Sequence, residues 1–149
     1  TGNITNNTID SIQFIELKNM KLPSRAKRKV KTDSIIYSTV RPNQRHFGII
    51  KSQPENFLVS TGFVVIDVDT NKAIPEFIYY LLIQNDTTEQ LQAIAEQSVS
   101  TYPSIKSSDI EDLEFKLPNL IIQNKIVSIL DTIDNKIRQN EKINNNLVA

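Results

Sequence analysis

Four cationic side chains, Arg25, Lys27, Arg28 and Lys29, stand together in Pro23-Ser24-Arg25-Ala26-Lys27-Arg28-Lys29-Val30 with no acid among them. A run of that kind suits a row of phosphates, an attraction that weakens with salt. Close behind comes Tyr37-Ser38-Thr39-Val40-Arg41-Pro42-Asn43-Gln44-Arg45. Arg pairs bidentately with guanine and Asn or Gln with adenine, each at about 1–3 kcal/mol of discrimination. Hydroxyls such as those of Ser38 and Thr39 hold phosphate oxygens. Arg41, Asn43, Gln44 and Arg45 are therefore candidate base readers, on a loop that Pro42 stiffens. Ser98, Ser100, Thr101 and Tyr102 form a second polar loop that could touch the same ligand. The plainer readings are a solvated turn at Lys27 to Lys31 and an internal ion pair at Arg41.

Other chemistry finds little to work with. Three glycines, Gly2, Gly48 and Gly62, make no phosphate-cradling loop. The Asn-Pro-Pro-Tyr type motif of amino-methyltransferases is missing, and His46 is the only histidine, so neither a His-rich metal cluster nor a hydrolytic triad with a spare His can be built. Asp67 and Asp69 have strand spacing that could hold Mg2+ in a nuclease, but no Glu-x-Lys completes the set. Asp109, Glu111, Asp112 and Glu114 read as an acidic patch, solvated or facing a basic partner. No catalytic or metal residue is assigned, and no cofactor is expected on this chain.

The zero net charge hides an asymmetry: residues 1–50 carry nine basic and three acidic side chains, leaving eight basic and fourteen acidic for the remainder. Such a chain can turn a positive face to an anionic polymer. With 39% hydrophobic residues it can bury a core. The absence of cysteine excludes disulfides, thiol nucleophiles and thiolate metal sites, and suits the cytoplasm. No apolar run is long enough for a membrane span. A start without Met suggests a piece of a longer protein.

The elements that must position these residues follow from patterning. Strands are expected at Ile9 to Leu17, Ser34 to Val40, Phe47 to Ile50, Phe57 to Val59, Phe63 to Val68 and Phe115 to Leu117. Pro75-Glu76 opens a helix with Phe77, Ile78, Tyr80, Leu81 and Leu82 on its apolar face. Asp86-Thr87-Thr88-Glu89 has capping-box spacing, and Ser108-Asp109-Ile110-Glu111 is a second cap-like string. From Asn119 the helical pattern runs without Gly or Pro, with Ile122, Ile126, Ile129, Ile133 and Ile137 recurring at steps of three and four and Leu130 and Leu147 extending the stripe. Such a helix outruns a small domain, projects, and calls for a coiled-coil partner, with Asn140 and Asn144 on or near the seam. The expected fold class is α+β: a small bent mixed sheet with packed helices, then the long projecting helix.

Three segments carry a family resemblance. They are Pro23 to Arg28 with Ser38 to Asn43; Ser60-Thr61-Gly62-Phe63 with the helix start at Pro75 to Tyr80; and Tyr102-Pro103-Ser104-Ile105 with Leu117-Pro118 and Gln123 to Asp131. In this order the chain resembles a target-recognition domain plus the following helix of a specificity subunit from type I restriction–modification systems. The resemblance implies a DNA-recognition domain at 1–117 and, at 118–149, a helix for dimerisation, spacing and methyltransferase docking. It implies double-stranded DNA and methyltransferase subunits as partners, with restriction subunits reached through them. S-adenosylmethionine, ATP and Mg would sit on those partners, and this chain would not be an enzyme. Since the Ser-Thr-Val-Arg-Pro stretch looks family-wide, Arg41 would position DNA or support the fold while Gln44 and Arg45 read sequence. Full specificity subunits carry two recognition domains and two helices, so a single set implies a fragment, a half-subunit or a homodimer through the helix. The alternative is a coiled-coil assembly or anti-restriction module without base reading of its own.

Overall fold

The computed structural model describes residues 3–9, 12–16, 21–54, 56–98 and 102–147. In chain order they form β1 (Ile4–Thr5), β2 (Thr8–Ile9), β3 (Ala26–Lys29), β4 (Ile35–Ser38), a 3-10 turn (Pro42–Gln44), β5 (Phe47–Ile49), β6 (Leu58–Ser60), β7 (Phe63–Ile66), α1 (Pro75–Leu82), α2 (Asn85–Glu96), α3 (Ser107–Glu111) and α4 (Leu120–Leu147). The central sheet has the order β5-β4-β7; β3 pairs with β6, and β1 with β2. Every described strand pair is antiparallel, so the sheet expected to be mixed is antiparallel within an α+β chain.

The middle strand, β4, is buried at all four positions, which is why its Ile-Ile-Tyr run lacks polar alternation. Side chains alternate across a strand. Ile35 and Tyr37 join Phe47, Tyr79, Leu82, Leu91 and Ile105 in one core beneath the helices. Ile36 joins Ile4, Ile50, Val59 and Phe63 in a second core beneath the small β-layer. The sheet thus sits between two apolar layers.

Asn6 and Asn7 both have positive φ, 46° and 62°, as a two-residue hairpin turn of this hand requires. This turn docks on β5: Asn6 N donates to Arg45 O and Asn7 N to Phe47 O, each at 3.0 Å. Gly48 allows that approach, since a Cβ there would lie 2.5 Å from Ile4 Cδ1 and 2.8 Å from Asn7 Oδ1.

Several expected elements shift. The strand at Ile9 to Leu17 is reduced to the end of β2; residues 12–16 have no regular structure, and Asp10, Ser11 and Leu17 lie outside the described residues. Phe115 to Leu117 forms no strand, because its backbone pairs with no strand among the described residues. Asp86-Thr87-Thr88-Glu89 is not a capping box: α2 starts at Asn85, Thr87 and Thr88 are buried, and Thr87 Oγ1 donates to Leu81 O at 3.0 Å. At α3 the capping carboxylate is Asp109, which accepts from Lys106 N at 2.7 Å.

Asn119 caps α4 by accepting from Ile122 N at 3.0 Å. The helix has 28 residues, about 42 Å at 1.5 Å per residue. Its first turns belong to the domain, where buried Gln123 accepts from Ile74 N at 2.9 Å and donates to Pro118 O at 2.8 Å. No helix among the described residues is long and apolar enough to cross a membrane.

Candidate nucleic-acid interface

Backbone hydrogen bonds knit four separate segments into one surface. Thr61 N donates to Arg25 O at 2.8 Å, fastening the β6–β7 turn to the start of the cationic strand. Thr39 N donates to Gly62 O at 2.9 Å, fastening the same turn to the end of β4. Arg41 N donates to Pro103 O at 2.9 Å and Ile105 N to Thr39 O at 2.8 Å, while Val40 bridges to Ser104. The cationic run, the Ser38–Arg45 stretch, the Thr61–Gly62 turn and Tyr102 to Ile105 therefore meet.

Between β4 and β5 the chain makes a 3-10 turn flanked by two left-handed residues, Arg41 (φ 49°) and Arg45 (φ 55°). Each costs roughly 1–2 kcal/mol for a residue with a Cβ, so surrounding bonds must hold them. Gln44 N donates to Arg41 O at 2.9 Å, Arg45 N to Pro42 O at 3.0 Å, and Asn43 N to Gln92 Oε1 at 3.2 Å. Pro42 is buried as the pivot, and Asn43 and Gln44 are left exposed at the tip. The Arg41 guanidinium carbon lies 5.1 Å from the Tyr102 ring centroid. A guanidinium over an aromatic ring is held there by cation–π attraction. Among the described residues Arg41 makes no ion pair.

Arg45 sits against the α1–α2 junction. Its guanidinium donates to Asn85 Oδ1 and, at 3.5 Å, to Ile83 O, tying the loop to the α1–α2 junction. Ser38 is corrected: it is buried, and its hydroxyl donates to Val40 O at 3.1 Å while accepting from Val40 N at 3.2 Å. Thr39 Oγ1 donates to Gly62 O at 3.1 Å, so both hydroxyls shape the loop instead of facing a phosphate. Gln92 and Asn85 are props that the sequence reading missed, being polar residues on an ordinary helix face.

The cationic run is a strand, not a turn, because β6 offers a partner edge. Ala26 pairs with Ser60, Arg28 with Val59 and Lys29 with Leu58, and the register shifts at Lys27. Such a bulge re-aims neighbouring side chains. Arg25, Lys27, Arg28 and Lys29 are exposed, and among the described residues none makes an ion pair. Lys31 differs, pairing with Asp67 at 3.2 Å. Of the second polar loop, Ser100 and Thr101 lie outside the described residues.

Asp67 and Asp69 serve local structure. Asp67 accepts from Ser34 Oγ at 2.6 Å. Asp69 accepts from Asn71 N and Nδ2, both at 3.1 Å, and these bonds hold its carboxyl below the ordinary value. No group of three or more His, Cys, Asp or Glu among the described residues could hold a metal ion.

On α4 the stripe of Ile122, Ile126, Ile129, Ile133 and Ile137 is exposed, and so is Leu147. Leu130 is half-buried at its margin. Ile143, which the sequence reading passed over, is exposed at 56%. At 100° per residue the stripe is centred roughly 100° from the side that buries Gln123 and Val127. One face of the helix is thus committed to the domain, and another carries exposed apolar area.

Residues 1–149 match a family model described as the type I restriction modification DNA specificity domain. The chain is 36% identical over 148 residues to the type I restriction enzyme HindI specificity subunit of Haemophilus influenzae, covering 99% of this chain and 32% of that protein. It is 26% identical over 137 residues to the putative type I restriction enzyme MjaX specificity subunit of Methanocaldococcus jannaschii, covering 90% of this chain and 32% of that one. The fold is similar to the HsdS subunit from Thermoanaerobacter tengcongensis, with a TM-score of 0.69 and 25% identity over 82% of this chain and 31% of that chain. It is also similar to a chain in a structure on complex assembly and conformational transition of the type I R-M system, with a TM-score of 0.77 and 26% identity over 95% of this chain and 36% of that chain. The chain therefore spans about a third of the length of the curated relatives it matches.

Proposed function

The chain belongs to the type I restriction–modification DNA specificity family, and from that premise we propose that it reads one half of a split DNA target. The observation that carries the proposal is the convergence just described. Four exposed cations, Arg25 just before β3 and Lys27, Arg28 and Lys29 on it, make no ion pair among the described residues, and Arg25 is bonded to the turn that also holds the end of β4. The cations supply salt-dependent hold on the phosphates. Asn43 and Gln44 at the tip, with Arg41 braced on Tyr102, face the bases. Residues 1–117 make the recognition domain, and residues 118–149 the helix that sets spacing.

The exposed isoleucine stripe supports pairing of α4 with a second long helix, from another copy of this chain or from the other half of a longer subunit. The paired helices dock methyltransferase subunits, and restriction subunits join through them. S-adenosylmethionine, ATP and Mg2+ act on those partners, and the assembly works in the cytoplasm, where its DNA lies. Selection from a random duplex pool tests base reading directly. Enrichment of a defined half-site, with affinity that falls steeply from 50 to 200 mM salt, is expected; unselective binding or none would refute it.

A further inference from the structure

Two adjacent tyrosines of α1 have different partners. Tyr79 enters the core, where its ring meets Phe47 edge-on at 6.3 Å, and Phe47 stacks on Tyr37 at 5.5 Å. Tyr80 turns to α4, its hydroxyl 2.8 Å from both Asp131 Oδ1 and Asp134 Oδ2. The two tyrosine rings lie 5.6 Å apart. Tyr37 and Phe47 flank the stretch that carries the Arg41–Arg45 loop, one just before it and one just after. A row of rings therefore runs from the base of that loop to the long helix.

The far end of the row is a polar joint. A phenol has one proton to donate, so Asp131 and Asp134 share it, three residues apart on one helix face. A cavity of about 140 Å³ beside them is lined by Lys51, Glu76, Asn135 and Arg138 among others, which places cationic groups near the paired carboxylates. Lys51 itself bridges Glu76 of α1 to Asp33, the latter at 2.7 Å. Beyond Asp134 every described side chain of α4 is exposed. The stretch from Asp134 to Leu147 is roughly 20 Å long. A tilt of about 10° at the joint would move its tip by roughly 3.5 Å, close to one 3.4 Å base step.

We infer that Tyr80, through its hydroxyl bridge to Asp131 and Asp134, is a positioning residue that fixes the angle between recognition domain and helix. By that route it sets how many base pairs may separate two half-sites. The consequence for DNA rests on the proposed function; the geometry does not.

The chain has no cysteine, so spin labels at Gln90→Cys and Glu141→Cys, both exposed in the parent chain, report the domain-to-helix distance once diluted with unlabelled chain. The parent should give one narrow distribution. Tyr80→Phe and the double variant Asp131→Ala/Asp134→Ala should broaden it by several ångströms, while Asp134→Asn, whose amide oxygen still accepts the phenol proton, should keep it narrow. An unchanged distribution in Tyr80→Phe would overturn the joint. With methyltransferase subunits present, Tyr80→Phe should methylate targets one base pair too long or too short within about tenfold of the preferred spacer. A spacer preference as sharp as the parent's, despite a broadened distance, would overturn the link to spacing. Failure of the parent to direct methylation at any spacer would count against DNA reading, with the distances still deciding the joint.

Discussion

The guanidinium of Arg41 lies over the ring of Tyr102, with 5.1 Å from its carbon to the ring centroid. The contact is enforced by the backbone, since Arg41 N donates to Pro103 O at 2.9 Å. A loop residue is thereby braced by a ring from a distant part of the chain. Removing the ring with Tyr102→Ala should cost about 0.5–1 kcal/mol of ordering, a two- to fivefold weaker Kd for target DNA in a titration. Arg41→Gly should weaken binding further while leaving the melting temperature at or above the parent's, because glycine adopts the 49° φ without strain.

Phosphate holding and base reading separate by salt. Lys27→Ala should weaken target and scrambled duplex alike and lower the slope of log K against log salt by about 0.9. Gln44→Ala should cost about 1–3 kcal/mol on the preferred target only. Binding isotherms at four salt concentrations on both duplexes check this. Arg45→Ala is the wrong probe, because its bonds to Asn85 and Ile83 make it a fold variant.

Truncation should divide α4 into two parts. A chain ending at Arg138 keeps Gln123, Val127, the Tyr80 contacts and the stripe up to Ile137 but loses Ile143 and Leu147, so it should melt close to the parent temperature while pairing through α4 weakens in sedimentation without vanishing. One ending at Leu117 loses the buried Val127 and the bonds of Gln123 to Ile74 and Pro118, and should be at least about 3 kcal/mol less stable in denaturant unfolding.

Alkaline pH should destabilise the domain. Burial raises the Tyr79 and Tyr80 phenols above their ordinary 10.0, with the nearby aspartates adding to the shift. Burial pulls the Lys51 ammonium down, but Asp33 and Glu76 more than offset this and leave it above 10.5. In all three cases the folded state keeps its proton longer than the unfolded one. The stabilisation is therefore complete below pH 10 and declines as pH rises beyond it. Denaturation midpoints at pH 8, 10 and 11 should show the fall, and Tyr80→Phe should flatten it.

Legibility in the sequence followed the balance between apolar pattern and backbone pairing. The apolar runs of β4, β5 and β7 and the Pro75 helix start were readable because burial demands them, and the isoleucine stripe of α4 was readable from its spacing, although the domain leaves it exposed. The cationic β3 was not, since Lys and Arg at successive positions read as solvated; only the edge offered by β6 makes them a strand. Gln123 was invisible for a related reason: an amide on a helix reads as surface until Ile74 and Pro118 are seen to need its partner groups. Ser38 and Thr39 show the same limit at the site. Their hydroxyls could hold phosphate by type, and only the fold reveals that they already serve Val40 and Gly62. Arg41, Asn43, Gln44 and the Arg25–Lys29 cations were legible as candidates because their residue types suit nucleic acid, and all but half-buried Arg41 are also exposed.

Base reading is tested most directly by methylome sequencing of cells that carry the cognate methyltransferase subunits, with and without this chain. A split methylated motif that appears only with the chain, palindromic if two copies act together, is the expected result. No new motif despite a stable complex with the methyltransferase would contradict it.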